Sequence, residues 1–119
     1  MSVVQVFQVL IAIGLVNVWL IRFGRPTAFR GGGAANMRQE FEVYGLPSWS
    51  VGVIGLAKLT IAVLLITGIW FPIVTKPAAA GLVLLMSGAV WMHVKVRDPL
   101  AKSVPALAIL VMTASVIIS

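Results

Sequence analysis

Four long apolar stretches, separated by shorter polar connections, dominate the pattern of this chain. Each stretch is close to the roughly 20 residues that an α-helix needs to cross a bilayer. The pattern therefore predicts an all-α fold, a transmembrane four-helix bundle in which residues 1–119 form a single domain. The predicted spans cover approximately residues 3–21, 48–71, 77–96 and 99–118.

The connection between the first two spans, residues 22–48, contains a short helical pattern of its own. Residues 34–44 predict an amphipathic helix that lies in the membrane interface or folds back over the mouth of the bundle. On its polar side, Arg38 and Glu42 are four residues apart and are expected to pair. Glu40 and Glu42 are both expected on a solvated face. The apolar face of this helix consists of Met37, Phe41 and Tyr44.

The composition supports a membrane protein. Of the 119 residues, 61% are hydrophobic and 10% are charged, whereas a soluble domain has about 25% charged residues. The net charge of +6 comes without a basic run interleaved with aromatic residues, so we expect contact with lipid headgroups and no nucleic-acid partner. The chain has no cysteine, which excludes disulfides, cysteine-ligated clusters and covalently attached c-type haem.

Arginine and lysine are concentrated around two of the three connections. Four lie between the first and second spans and three lie around the connection between the third and fourth, whereas the remaining connection has only Lys76. The positive-inside rule then predicts that both basic connections are cytoplasmic and that both termini lie outside. This orientation gathers five ionisable side chains towards one end of the bundle: Glu40, Glu42, Lys58, His93 and Asp98.

Lys58 lies well inside the second predicted span. A lysine at the bilayer centre costs about 2.5–3.5 kcal/mol, so its ammonium group should face protein or water and should have a partner. Glu42 and Asp98 are the partners that we expect.

The polar cluster that Lys58 forms with His93 and these acids has two interpretations. The functional one is a proton relay, or a polar mouth that orients the head of a lipophilic molecule such as a quinone. In the structural one, Lys58 pins its helix to the loops, Asp98 caps the fourth span ahead of Pro99, and His93 bonds Asp98 or the carbonyls of its helix end. The spacing of these residues predicts no metal site.

Two further sets of residues match a sequence pattern of a known family, and the match covers nearly the whole chain. They lie at the entry to the second span and at the end of the third, and they resemble the DoxX-like family of small four-helix membrane proteins. The family usually has a glutamate at the position of Lys58, so a role that requires this carboxylate does not carry over. The matching positions are Phe41, Gly45, Pro47, Trp49, Gly55 and Leu59, followed by Pro72, Gly88, Ala89, His93 and Asp98.

The resemblance implies a connection with membrane redox complexes, because the name-giving members are similar to a small subunit of a thiosulfate:quinone oxidoreductase. We expect an accessory or structural subunit that packs against a larger membrane complex, or a homo-oligomer, and not a catalyst on its own. The expected location is the bacterial cytoplasmic membrane, with no covalently bound cofactor. The alternative is a module that binds or converts a lipophilic, quinone-like molecule at the polar cluster near the cytoplasmic end. A proton or ion pathway is a third hypothesis. Small residues support the packing role: Gly52, Gly55, Gly81, Gly88 and Ala89.

Overall fold

The computed structural model describes residues 1–119 and is all-helical. Four of its helical segments are long and apolar enough to cross a membrane, which confirms the predicted transmembrane four-helix bundle with a short helix between the first two spans. Three short 3₁₀ turns occupy Gly31–Gly33, Pro72–Val74 and Leu100–Ser103. The helices are α1 (Val3–Val16, continued by a π-helical turn at Asn17–Ile21), α2 (Met37–Val43), α3 (Trp49–Thr67), α4 (Thr75–Lys95) and α5 (Val104–Ile118).

The spanning helices form a closed ring in which α1 and α4 each pack against both α3 and α5. Helices α1 and α3 are antiparallel, because Gln8 near the start of α1 bonds to Leu65 near the end of α3 and Trp19 beyond α1 packs on Gly55. A fully buried apolar core fills the ring, while apolar side chains also cover much of the outer surface. Helices that are apolar all round are typical of membrane spans. The most enclosed core residues are Ile11, Leu15, Leu65, Leu82 and Val116.

The helix ends differ from the predicted ones where prolines lie near them. Helix α3 ends at Thr67, four residues before the predicted Phe71, because the chain turns at Gly68 ahead of the 3₁₀ turn at Pro72. Helix α4 begins at Thr75, two residues before Pro77. A proline is tolerated there because the N–H groups of the first turn have no intrahelical acceptor.

The fourth span begins differently from its prediction. The chain enters it through the 3₁₀ turn Leu100–Ser103, and regular α-helix starts only at Val104. Asp98 does not cap this segment: Pro99 is in the cap position, and no side chain bonds the free N–H groups there. The predicted capping role of Asp98 is therefore wrong, and its carboxylate is used elsewhere.

Helix α2 covers one end of the bundle. Its buried residues Met37 and Phe41 pack with Trp19 and with Val51 of α3. The rings of Phe41 and Trp19 meet edge to face at a centroid distance of 5.9 Å. We call this end, with α2, the turn at Gly31–Gly33 and the connection between α4 and α5, the loop end. We call the opposite end the far end.

Candidate functional site

The loop end contains a buried ion pair that the sequence did not predict. Arg30 Nη1 lies 3.0 Å from Glu40 Oε2, and the two side chains are only 4% and 10% exposed. Arg30 also donates hydrogen bonds to the carbonyls of Arg22, Phe23 and Arg25. A single buried guanidinium thus organises the loop after the first span and holds it against α2.

Glu40 is also held by Tyr44, one turn later on α2. The Tyr44 hydroxyl donates to Glu40 Oε1 over 2.7 Å, so both carboxylate oxygens of Glu40 are occupied. Burial raises the pKa of Tyr44 well above its usual value, and the hydrogen bond to Glu40 raises it further. Tyr44 therefore stays a protonated donor at any physiological pH. The prediction of a solvated face was wrong for Glu40, because Arg30 compensates its charge inside the protein.

Asp98 is the centre of a second cluster, which joins three parts of the chain. His93 Nδ1 lies 2.8 Å from Asp98 Oδ2, and the Gly32 N–H donates to Asp98 Oδ1 over 3.0 Å. Lys102 Nζ lies 3.8 Å from Oδ1. Burial of Asp98 opposes its ionisation, but the hydrogen bonds from His93 and Gly32 outweigh this effect and lower the pKa of Asp98.

Gly32 can make this contact because of its backbone conformation. Its φ of +60° lies in the left-handed region, which glycine adopts without the strain that a Cβ would cause. A Cβ at this position would also lie 2.4 Å from a methyl group of Val43. The triglycine turn is therefore a fixed structural element that ties the loop to the connection between α4 and α5.

Lys58 is the exception among these charges. It is 8% exposed, and its Nζ lies 5.3 Å from the centroid of the Trp19 ring. It takes part in no hydrogen bond and no ion pair within the protein. Glu40 is the carboxylate close enough for its charge to act on Lys58, but Glu40 is already bound by Arg30 and Tyr44.

The predicted partners of Lys58 do not reach it. Glu42 is exposed on the outer side of α2, and Asp98 is bound by His93, Gly32 and Lys102. No fully enclosed side-chain nitrogen or oxygen lacks a hydrogen-bond partner in this structure. The unpaired ammonium of Lys58 therefore keeps some access to the outside of the protein.

The predicted pair of Arg38 and Glu42 is also absent. The Arg38 guanidinium lies over the ring of Phe23 at 5.8 Å from its centroid, and Glu42 is free in solvent. A cation over an aromatic face is favourable by about 0.5–1 kcal/mol at an exposed site. Glu42 consequently drops out of the predicted polar cluster and Glu40 takes its place.

The motif residues have separate structural roles. Gly45 has a φ of +76° and makes the turn between α2 and α3, and the Pro47 carbonyl accepts the hydroxyl of Ser50 at the start of α3. A Cβ on Gly55 would lie 2.7 Å from the Trp19 ring, whereas Gly88 has open space before it. Phe41 is buried under α2, and Trp49 is exposed at the start of α3.

Glu40 could have been found in the sequence. Positions 37, 40, 41 and 44 follow the i, i+3, i+4, i+7 spacing of one helix face, so Glu40 lies among the apolar residues of α2. A carboxylate on such a face requires a buried partner. The identity of that partner, Arg30, has no comparable signal, because it lies in a loop without periodicity.

The chemistry that this arrangement offers is the binding and orientation of a hydrogen-bond acceptor by Lys58. Glu40 and Asp98 are satisfied by protein donors, whereas the ammonium of Lys58 has donors to spare. No group of three or more histidine and acidic side chains converges in the way a metal site requires.

The sequence model of the DoxX-like family matches residues 6–116, which include most of all four spans and the connections between them. No curated protein and no solved structure matches the chain.

Proposed function

The chain belongs to the DoxX-like family, and from this premise we propose that it binds the polar head of a lipophilic, quinone-like molecule at Lys58. The observation that carries this proposal is the largely buried Lys58 side chain, whose ammonium group has no hydrogen-bond acceptor within the protein. The four apolar spans make the chain an integral membrane protein, so a lipophilic molecule can reach the bundle from the bilayer.

An ammonium group has three N–H donors, and the Trp19 ring satisfies its charge only in part. Buried donors without acceptors destabilise a protein by about 1–3 kcal/mol each, and more when they are charged. A carbonyl oxygen of a quinone-like head would accept one of these donors.

The surroundings of Lys58 favour binding over a purely structural role. Glu40 is near enough to act on Lys58 but is tied to Arg30 and Tyr44, so it cannot turn towards the lysine without leaving another buried charge unpaired. These contacts fix α2 over the loop end. A head that binds to Lys58 would therefore displace no existing ion pair.

We place the loop end on the cytoplasmic side of a bacterial cytoplasmic membrane. Four of its arginines are exposed and form no ion pair: Arg22, Arg25, Arg38 and Arg97. An excess of exposed cations in short connections is typical of the cytoplasmic side. A protease or thiol-labelling assay on cysteines introduced at Arg25 and at Lys76 would test this orientation, because these residues lie at opposite ends.

The function is tested by purification of tagged protein in mild detergent, followed by mass spectrometry of organic extracts. We expect a lipophilic molecule to co-purify with the wild type and with Lys76→Met, which removes an exposed lysine at the far end. Lys58→Met should lose that molecule. Extracts that contain only bulk phospholipid for all three proteins would contradict the proposal.

A second candidate, an accessory subunit or homo-oligomer, is favoured by a different observation. Gly52 of α3 and Gly88 of α4 are exposed, and neither has an atom within 4 Å of a Cβ placed on it. Outward-facing small residues let helices from another chain approach closely. A partner subunit in a redox or energy-converting complex, or a second copy, would use these positions.

This candidate is tested in the same purification. Gly52→Leu and Gly88→Leu have room for the new side chain, so the fold should be unchanged while a co-purifying subunit is lost. Val111→Phe on α5, at a similarly exposed position on a different helix, is the control. A monodisperse wild-type monomer without protein partners would contradict the accessory role.

A further inference from the structure

We infer that the ligand of this site is a long-chain carboxylate, whose anionic head pairs with Lys58 and whose chain lies in the groove between α1 and α3. The inference rests on the proposed function, because it uses the same site at Lys58, and it replaces the neutral quinone-like head by one that carries a negative charge.

The argument for an anion is a complete count of the acidic side chains. The chain has three of them, and none is free to compensate Lys58. Glu40 is paired with Arg30, Asp98 is paired with His93 and Lys102, and the remaining one is exposed on α2. Since no other acidic side chain exists, any anion that pairs with Lys58 comes from outside the protein.

A neutral carbonyl would leave this imbalance in place. It accepts a hydrogen bond from the ammonium, but the positive charge of Lys58 stays uncompensated in a medium of low dielectric constant. A carboxylate accepts the hydrogen bond and supplies the missing charge, and charge-assisted hydrogen bonds are roughly twice as strong as neutral ones. The site therefore discriminates in favour of an anionic head.

The groove accounts for the chain of the ligand. It has a volume of about 740 Å³ between α1 and α3 and is lined mainly by apolar side chains, within the roughly 300–1,000 Å³ of known ligand pockets. Leu59, which follows Lys58 directly, is part of its wall, as is Ala62 one turn later. Lys58 itself does not line the groove. The bond between Gln8 and Leu65 and the contact of Trp19 with Gly55 lie on either side of this stretch of α3, so Lys58 lies at a level that the groove also occupies.

The groove also contains an unpaired polar side chain. Asn17 lines it where the regular helix of α1 gives way to the π-helical turn, and its side-chain amide forms no hydrogen bond within the protein. π-Helical turns are frequent at functional sites. A polar amide that faces an apolar groove in a membrane span is consistent with a ligand that carries a polar group near this level.

The test uses the full chain in detergent micelles with palmitate, its methyl ester and a neutral decyl-substituted quinone as probes. Binding is measured from the shift of the thermal unfolding midpoint with ligand concentration, since a ligand of the folded state raises it. We expect the wild type and Lys76→Met to bind palmitate at least about tenfold more tightly than its ester. Lys58→Met should lose this preference, and Lys58→Arg, which keeps the charge, should retain it.

Three results would overturn the inference. If the ester or the quinone binds as tightly as palmitate, the anion is wrong and the proposed function survives. If Lys58→Met keeps the preference for palmitate, Lys58 is not the group that pairs with the head. If none of the three probes binds to the wild type, the proposed function fails together with the inference.

Discussion

The two ends of the bundle satisfy the polar groups of their helix termini and loops with different chemistry. At the far end, neutral groups close the helix termini: Gln8 Nε2 donates to the Leu65 carbonyl over 2.8 Å, and the Thr75 hydroxyl donates to the Gly68 carbonyl over 3.3 Å. At the loop end, buried charges do this work, through Arg30 and its pair with Glu40. The contacts that close the far end therefore do not depend on charged side chains, whereas those that close the loop end do.

The difference supports the loop end as the place of the proposed ligand. A cleft at the far end is lined by polar residues that include Gln8 and Thr75, but both of these already have partners. The loop end has Lys58, which has none. Lys76 also lines the cleft at the far end, but it is exposed, so water solvates its charge. An unpaired charge on a largely buried side chain offers a ligand a stronger interaction.

The largest predicted effect on stability is a difference between Glu40 and Glu42, two acids that are two positions apart on α2. Glu40→Ala leaves Arg30 buried without a counter-charge, which should lower the free energy of unfolding by about 3–5 kcal/mol. Glu42→Ala is the matched control, because this exposed residue should change stability by less than about 0.5 kcal/mol. Unfolding in mixed micelles with increasing denaturing detergent measures both. Equal stability of the two variants would mean that the buried pair is not what holds the loop end.

Lys58→Met should act in the opposite direction. Without ligand, removal of the unpaired ammonium should raise the free energy of unfolding by about 2–3 kcal/mol, close to the cost of a lysine in a span. Lys76→Met at the far end changes only an exposed side chain and should have almost no effect. A loss of stability in Lys58→Met would show that the ammonium has a partner within the protein after all.

Asp98→Asn tests the second charged cluster through its pH dependence. The pKa of Asp98 is lower in the folded state than its usual 3.8, so ionisation of Asp98 stabilises the fold above that value and the stabilisation is lost as the pH falls through the lower folded pKa. At pH 7 the asparagine variant should lose about 1.5–2 kcal/mol, since it replaces a charged acceptor by a neutral one.

The same variant should also flatten the acid limb of the stability curve. As the pH falls from 3.8 through the lower folded pKa of Asp98, the wild type should lose stability relative to Asp98→Asn, so the two curves converge on the acid side. Parallel curves over this range would contradict the assignment of Asp98 as an ionised acceptor of His93 and Gly32.

The sequence predicted those features that depend on local pattern. The spans follow from length and hydropathy, and the buried face of Met37, Phe41 and Tyr44 follows from helical spacing, as their burial shows. The placement of Lys58 inside the bundle follows from its position within an apolar stretch.

What the sequence did not predict depends on residues that are distant along the chain. Asp98 accepts a hydrogen bond from Gly32, 66 positions away in the sequence, and no periodic pattern predicts that contact. Local logic instead pointed to a helix cap ahead of Pro99 and to a pair on the surface of α2. Tertiary contacts overrode both: Asp98 bonds to Gly32 and His93, and the Arg38 guanidinium lies over the ring of Phe23. Lys58 was left without Glu42 and Asp98, the partners that a shared end of the bundle had suggested.

The smallest predicted effect concerns the far end. Gln8→Leu removes the donor to the Leu65 carbonyl, which lies near the end of α3 where carbonyls have no regular intrahelical partner. The cost should be about 1–2 kcal/mol, the usual value for a buried acceptor left unsatisfied. It should be constant from pH 4 to pH 8, because no ionisable side chain takes part in this contact. Since Asp98→Asn should change the acid limb and Gln8→Leu should only lower the whole curve, the two variants together separate charge-dependent from charge-independent closure of the bundle. A Gln8→Leu curve whose deficit grows in acid would link the far end to the charged cluster and break the distinction between the two ends.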